Sequence, residues 1–229
     1  LKTTPAIFFL LCAIGLGIPN SRSQDWHADH WGGWSVPTIT NARDIATLPI
    51  PTPSSNIRLV SMLTTTNTLG VLNDLTGKTI SATVWMECSN SPVFVFGNGC
   101  GGGLPANMRL FLTTDMSPYN VNAANINETG YWWSSAPIGW APIAPGITVL
   151  QTSFDPTFWS DSLGHWALDP KYTAAFQNAV QHVAQIGLSF GGGCFFDVGI
   201  GVSNAGASAT LHILQYEALP QCVPVVDPQ

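Results

Sequence analysis

Residues 187–191 read GLSFG, the Gly-x-Ser-x-Gly spacing that in hydrolases lifts a serine nucleophile on a sharp strand-to-helix turn. Asp197 and His212 follow it in the order acid, then base. The surroundings argue against that chemistry. Residues 191–196 (GGGCFF) lead from one apolar strand into another, and three glycines start a helix poorly. Too little chain separates the three groups for the βα units that would hold them apart. Ser189 is expected to be a strand residue, and the chain is expected to be no enzyme.

Two carboxylates facing each other could hydrolyse a glycosidic bond. Here Asp155 and Asp169 each precede proline and Asp74 follows Asn73, contexts in which a carboxylate caps the backbone. Glu87 and Glu217 close strands, and Glu128 lies within the sequon that makes Asn127 the candidate glycosylation site. Asp25, His27, Asp29 and His30 form the only metal-like cluster. With Gln24 as the first residue, the imidazole of His27 falls one position late for a planar amino-terminal copper site. No Cys-x-x-Cys pair is present, and residues 97–103 lack the lysine and following helix of a phosphate loop. No metal and no cofactor are expected.

The aromatic residues are the best lead. Trp132, Trp133, Trp140, Trp159 and Trp166 crowd into one Pro- and Gly-containing stretch. An exposed indole stacks on the apolar face of a sugar while neighbouring polar side chains bind its hydroxyls. Trp132 and Trp159 are assigned to the core. Trp133, Trp140 and Trp166 are expected to stack on a ligand, with Asp161 and His165 hydrogen-bonding to it.

These residues must be positioned by an all-β framework. Residues 79–86 alternate Ile80, Ala82, Val84 and Met86 with polar partners, and residues 107–113 and 208–216 repeat the pattern. Shorter strands are expected over 58–63, 93–96, 147–154 and 194–198, separated by Asn, Asp, Gly and Pro turns. One helix interrupts them at about 170–185. Asp169 caps it, Pro170 suits its first position, and Tyr172, Phe176, Ala179, Val180 and Val183 form one apolar stripe. From Ile186 the period becomes two. The expected fold is a jelly-roll-like β-sandwich of about eight strands with that helix laid across it.

Residues 1–23 carry Lys2, an apolar core over 6–18 and a small-residue break, and are expected to be a signal peptide cleaved before Gln24. Residues 24–56 are expected to be an aromatic, proline-stiffened leader, 57–222 the sandwich, and 223–229 a tail. No segment later in the chain has the length of a membrane span. Removal of Lys2 and Arg22 leaves 5 basic and 13 acidic residues, a balance that disfavours nucleic acid. The four remaining cysteines are expected to pair as Cys100–Cys194 and Cys88–Cys222, with a local Cys88–Cys100 clip as the competing arrangement.

Residues 131–196 run YWW, a proline-containing loop, ITVLQTSF, DPTFW, a short helix and IGLSF. This succession resembles the second half of galactose-binding-like and laminin-IV-like β-sandwich modules. The strings DLTGKTISAT, PANMRLF, YWWS and IGLSFGGGCFF resemble secreted bacterial proteins of uncharacterised function. The resemblance covers about residues 57–217 and implies a module that binds glycans or proteins. The expected function is a secreted recognition module for neutral carbohydrate, because an acidic surface repels charged polymers. The alternatives are a self-associating surface protein and, third, a secreted hydrolase.

Overall fold

The computed structural model describes residues 26–29, 38–42, 45–52, 62–65, 74–96, 106–114, 130–135, 139–192, 196 and 199–221. Among these lie fourteen strands and one α-helix. A seven-stranded antiparallel sheet holds β1 (Trp26–Asp29), β4 (Met62–Thr65), β12 (Gln185–Gly191), β7 (Asn107–Thr113), β8 (Tyr131–Ser134) and β11 (Trp159–Asp161) in that order. Its seventh strand, β9 (Trp140–Pro142), pairs with β7. A five-stranded sheet runs β10 (Gly146–Ser153), β5 (Lys78–Ser89), β14 (Ser208–Pro220), β3 (Ile45–Ile50) and β2 (Thr40–Ala42). The short strands β6 (Phe94–Phe96) and β13 (Ile200–Val202) pair separately.

Period-two alternation decides which faces meet. Leu110, Leu112, Leu188 and Phe190 from the larger sheet join Val84, Leu211 and Ile213 from the smaller one in a single buried cluster. Tyr216 spans that core: its hydroxyl donates to the Gly187 carbonyl at 2.8 Å, and burial pushes its pKa well above the usual tyrosine value. The register of β14 against β5 shifts between Ile213 and Gln215, so Tyr216 and Ala218 still point inward beyond the irregularity.

The helix, α1, spans Pro170–Gln181 and is shorter than its expected range. Asp169 Oδ1 accepts from the Lys171 amide at 2.9 Å, as an N-cap should. At the other end the Leu75 amide takes the Val180 carbonyl at 2.9 Å, His182 leaves helical geometry, and Ala184 donates to Thr113 at 2.8 Å. The backbone is thus committed to sheet pairing just beyond His182. Phe176, Ala179, Val180 and Val183 are buried as the stripe requires, while Tyr172 is only half-buried.

The expected leader is not separate from the sandwich. Trp26 is buried against Tyr216, with ring centroids 5.1 Å apart, and β3 buries Ala46, Leu48 and Ile50 alongside β14. Pro49 is tolerated because β2 pairs only as far as Thr47, and among the described residues no strand pairs with that side of β3 at Pro49. Asn41 joins the two sheets: its Oδ1 accepts from the Trp26 amide at 3.2 Å and its Nδ2 donates to the Trp26 carbonyl at 3.3 Å. Residues 48–50 of the proline-rich run read as a connector are therefore part of β3. No helix among the described residues is long and apolar enough to cross a membrane.

Candidate functional site

Of the expected ligand residues, the structure brings Asp161, His165 and Trp166 together. An isolated bridge between Ser160 and Trp166 closes a tight loop at the end of β11. Asp161 is fully buried and organises it. Its Oδ1 accepts from the Leu163 amide at 2.9 Å and the His165 amide at 2.8 Å, and Oδ2 accepts from His165 Nδ1 at 2.9 Å. Gly164 has φ +82° with open space around its Cβ position, so the backbone conformation is what selects glycine there. Asp161 is accordingly a positioning residue and is not available to a ligand.

A carboxylate only accepts, so His165 carries a proton on Nδ1; in the neutral tautomer this leaves Nε2 as an acceptor. The imidazole also stacks on Tyr172 of α1, with centroids 4.2 Å apart and planes 10° from parallel. Two contacts therefore fix its plane and tautomer. Trp166 is 48% exposed, and Leu163 and Leu168 are exposed beside it. Trp166 and half-buried His165 form an ordered surface that offers a ring face and a hydrogen-bond acceptor.

Trp133 does not behave as expected: it is 2% exposed and cannot stack on a ligand. It lies on β8 between β7 and β11, so its outward face is lined by Phe111 at 5.4 Å and Phe196 at 6.4 Å between centroids. Trp140 is half-buried on β9, opposite Arg109. Gly139 sets that strand close to the sheet, since its φ is +83° and a Cβ would stand 2.6 Å from that of Ser134. Trp132 and Trp159 lie in the core as expected, both packed against Phe176.

Three features went unread in the sequence. Arg109 has its guanidinium 3.7 Å from the Phe196 centroid and 5.8 Å from that of Trp140, and burial lowers its pKa to about 10. On the outer face of the smaller sheet, Trp85 stacks on His212 at 4.7 Å. His212 Nε2 lies 3.1 Å from Glu87 Oε2 and Nδ1 lies 3.2 Å from Thr47 Oγ1. The alternation of residues 79–86 already pointed Trp85 outward. A groove of about 460 Å³ runs beside α1, lined in part by Lys78, Phe154, Gln177 and Gln181, within the range of small-molecule sites. It depends on long-range contacts and had no local signal.

Ser189 is buried in β12 and its hydroxyl donates to the Phe196 carbonyl. His212 lies on the far side of the core, on the outer face of the other sheet, so Ser189 and His212 cannot share a proton. Cys88, the one cysteine among the described residues, is half-buried with a free thiol whose pKa is raised by burial and then by Glu87. Cys100, Cys194, Cys222 and Asn127 lie outside the described residues, as do Asp25 and His30. No protein-family model, no curated protein and no solved structure matches this chain.

Proposed function

We propose that this chain is a secreted, non-catalytic recognition module for neutral carbohydrate, with its ligand surface formed by Trp166 and His165 where the 161–166 loop meets α1. The observation that carries this reading is the anchoring of His165 by buried Asp161 and by Tyr172 beside an exposed indole. Holding polar and aromatic groups in place before binding lowers the ordering cost of capturing a flexible ligand. Sugar hydroxyls donate to His165 Nε2 while a pyranose face covers Trp166. A glycan array probed with the full chain tests the class of ligand. Retention on neutral glycans supports the reading, and a blank array contradicts it.

A second reading, self-assembly, has its own supporting observation. Among the described residues β10 is the edge strand of the smaller sheet, with Ile147 70% and Val149 60% exposed. No charged residue occurs between Glu128 and Asp155, so this edge lacks the lysines and inward charges that block pairing with another chain. Sedimentation velocity across a concentration series separates the two readings. Assembly abolished by Val149→Lys, with no glycan bound, favours the structural one.

A further inference from the structure

We propose that Arg109 anchors a second binding site, for a carboxylate, on the outer face of the seven-stranded sheet, with Trp133 Nε1 as its second donor. Arg109 alternates with Met108 and Leu110, so it leaves the core on the face opposite theirs. Its Nε donates to Asn107 Oδ1 at 3.3 Å and its Nη1 to the Ser134 carbonyl at 2.8 Å. These two bonds occupy only part of a fork of five donors. No carboxylate lies within ion-pair distance of it among the described residues, where the only pairs are His165–Asp161 and His212–Glu87.

A cation removed from water and left without an anion is costly, and proteins seldom keep one without a use for it. Burial also lowers the Arg109 pKa to about 10. A further donor lies on the same face of the sheet, on the neighbouring strand β8. Trp133 Nε1 is the one buried side-chain nitrogen or oxygen without a hydrogen-bond partner among the described residues. Both groups border the Phe196 ring, Arg109 at 3.7 Å and Trp133 at 6.4 Å, and Ser189 holds the Phe196 backbone in place. A guanidinium fork with donors to spare and one N–H without an acceptor match the oxygens of a carboxylate.

A single cation with no lysine beside it fits a monoanion better than a phosphate dianion. The net charge of −6 disfavours a polyanion approaching the whole surface. A lone carboxylate responds to the nearest charge, because salt screens the more distant ones within about 10 Å. Half-buried Trp140, 5.8 Å from the same guanidinium, gives the remainder of such a ligand an aromatic wall. This inference is independent of the neutral-sugar surface at Trp166.

The test is titration of the full chain with sodium acetate and sodium glucuronate at constant ionic strength, with glucose as the uncharged control, followed by calorimetry and indole fluorescence. Both carboxylates should bind saturably, and Arg109→Gln should weaken them by about tenfold or more. Trp133→Phe removes the N–H together with the five-membered ring that carries it, so it should weaken both carboxylates while the space left behind lowers the thermal midpoint. Trp166→Ala should leave both affinities intact, which separates this site from the neutral-sugar surface. Absence of carboxylate binding by the wild type, or undiminished binding by either Arg109→Gln or Trp133→Phe, overturns the proposal.

Discussion

His165 Nδ1 lies 2.9 Å from Oδ2 of Asp161, a carboxylate wholly removed from solvent that also accepts two backbone amides of the same loop. One aspartate thus sets the loop's path, the histidine's tautomer and the exposure of the neighbouring indole. Chain direction reverses between Asp161 and Trp166 because the carboxylate replaces backbone partners that so short a turn could not supply.

Replacing that carboxylate should loosen the whole loop. Asp161→Ala removes three hydrogen bonds from a buried acceptor, and the expected loss is about 2–3 kcal/mol, read from urea denaturation. Asp161→Asn keeps Oδ1 for the two amides and should cost less. Equal stability of wild type and Asp161→Ala would mean that the loop holds its shape without the aspartate.

The helix is attached chiefly through Phe176, which is buried against Trp132 at 5.0 Å and Trp159 at 5.9 Å. Phe176→Ala should destabilise the chain by about 3–5 kcal/mol, since aromatic rings surrounding the vacated site collapse poorly. Thermal or denaturant midpoints measure this. A change below about 1 kcal/mol would show that α1 is not docked as described.

Much of this framework was legible locally. Alternation identified β5, β7 and the first part of β14, and Asp169, Pro170 and the Tyr172–Val183 stripe marked the helix. Those signals depend on the nearest few residues along one element. The fate of residues 24–56 was not legible. Trp26 packs on Tyr216 and Leu48 pairs with β14, partners far away in sequence, and prolines that resemble a linker are tolerated where a strand lacks a neighbour on one side.

The same distinction divides the candidate site. Asp161, His165 and Trp166 form a local turn, so their grouping followed from spacing. Trp133 was misassigned because its neighbours along the chain do not reveal that Phe111 and Phe196 cover it. Arg109 escaped notice because a single arginine in a strand looks ordinary until its surroundings prove to be aromatic rings, with no carboxylate partner among the described residues.

Acid should weaken the turn that precedes β11. Asp155 caps the 3-10 turn Pro156–Phe158, and bonds from the Thr157 hydroxyl and amide hold its pKa below 3.8. A folded value beneath the unfolded one stabilises fully above about pH 4 and is lost as pH falls through the folded value. Asp155→Ala should therefore cost about 1 kcal/mol near neutrality, and the difference from wild type should shrink between about pH 5 and pH 2. A difference that stays constant with pH would assign the cost to something other than the carboxylate.

The recognition surface is tested most directly by calorimetric titration of the full chain and Trp166→Ala with soluble neutral oligosaccharides drawn from the retained glycans. Trp166 is 48% exposed, so its removal should leave the thermal midpoint nearly unchanged. Affinity should nevertheless fall by about 1–3 kcal/mol, the value of covering one large apolar side chain. Saturable wild-type binding that weakens in this way is the predicted result. Equal affinity of the two proteins, or no binding by the wild type together with concentration-dependent assembly, would contradict the account.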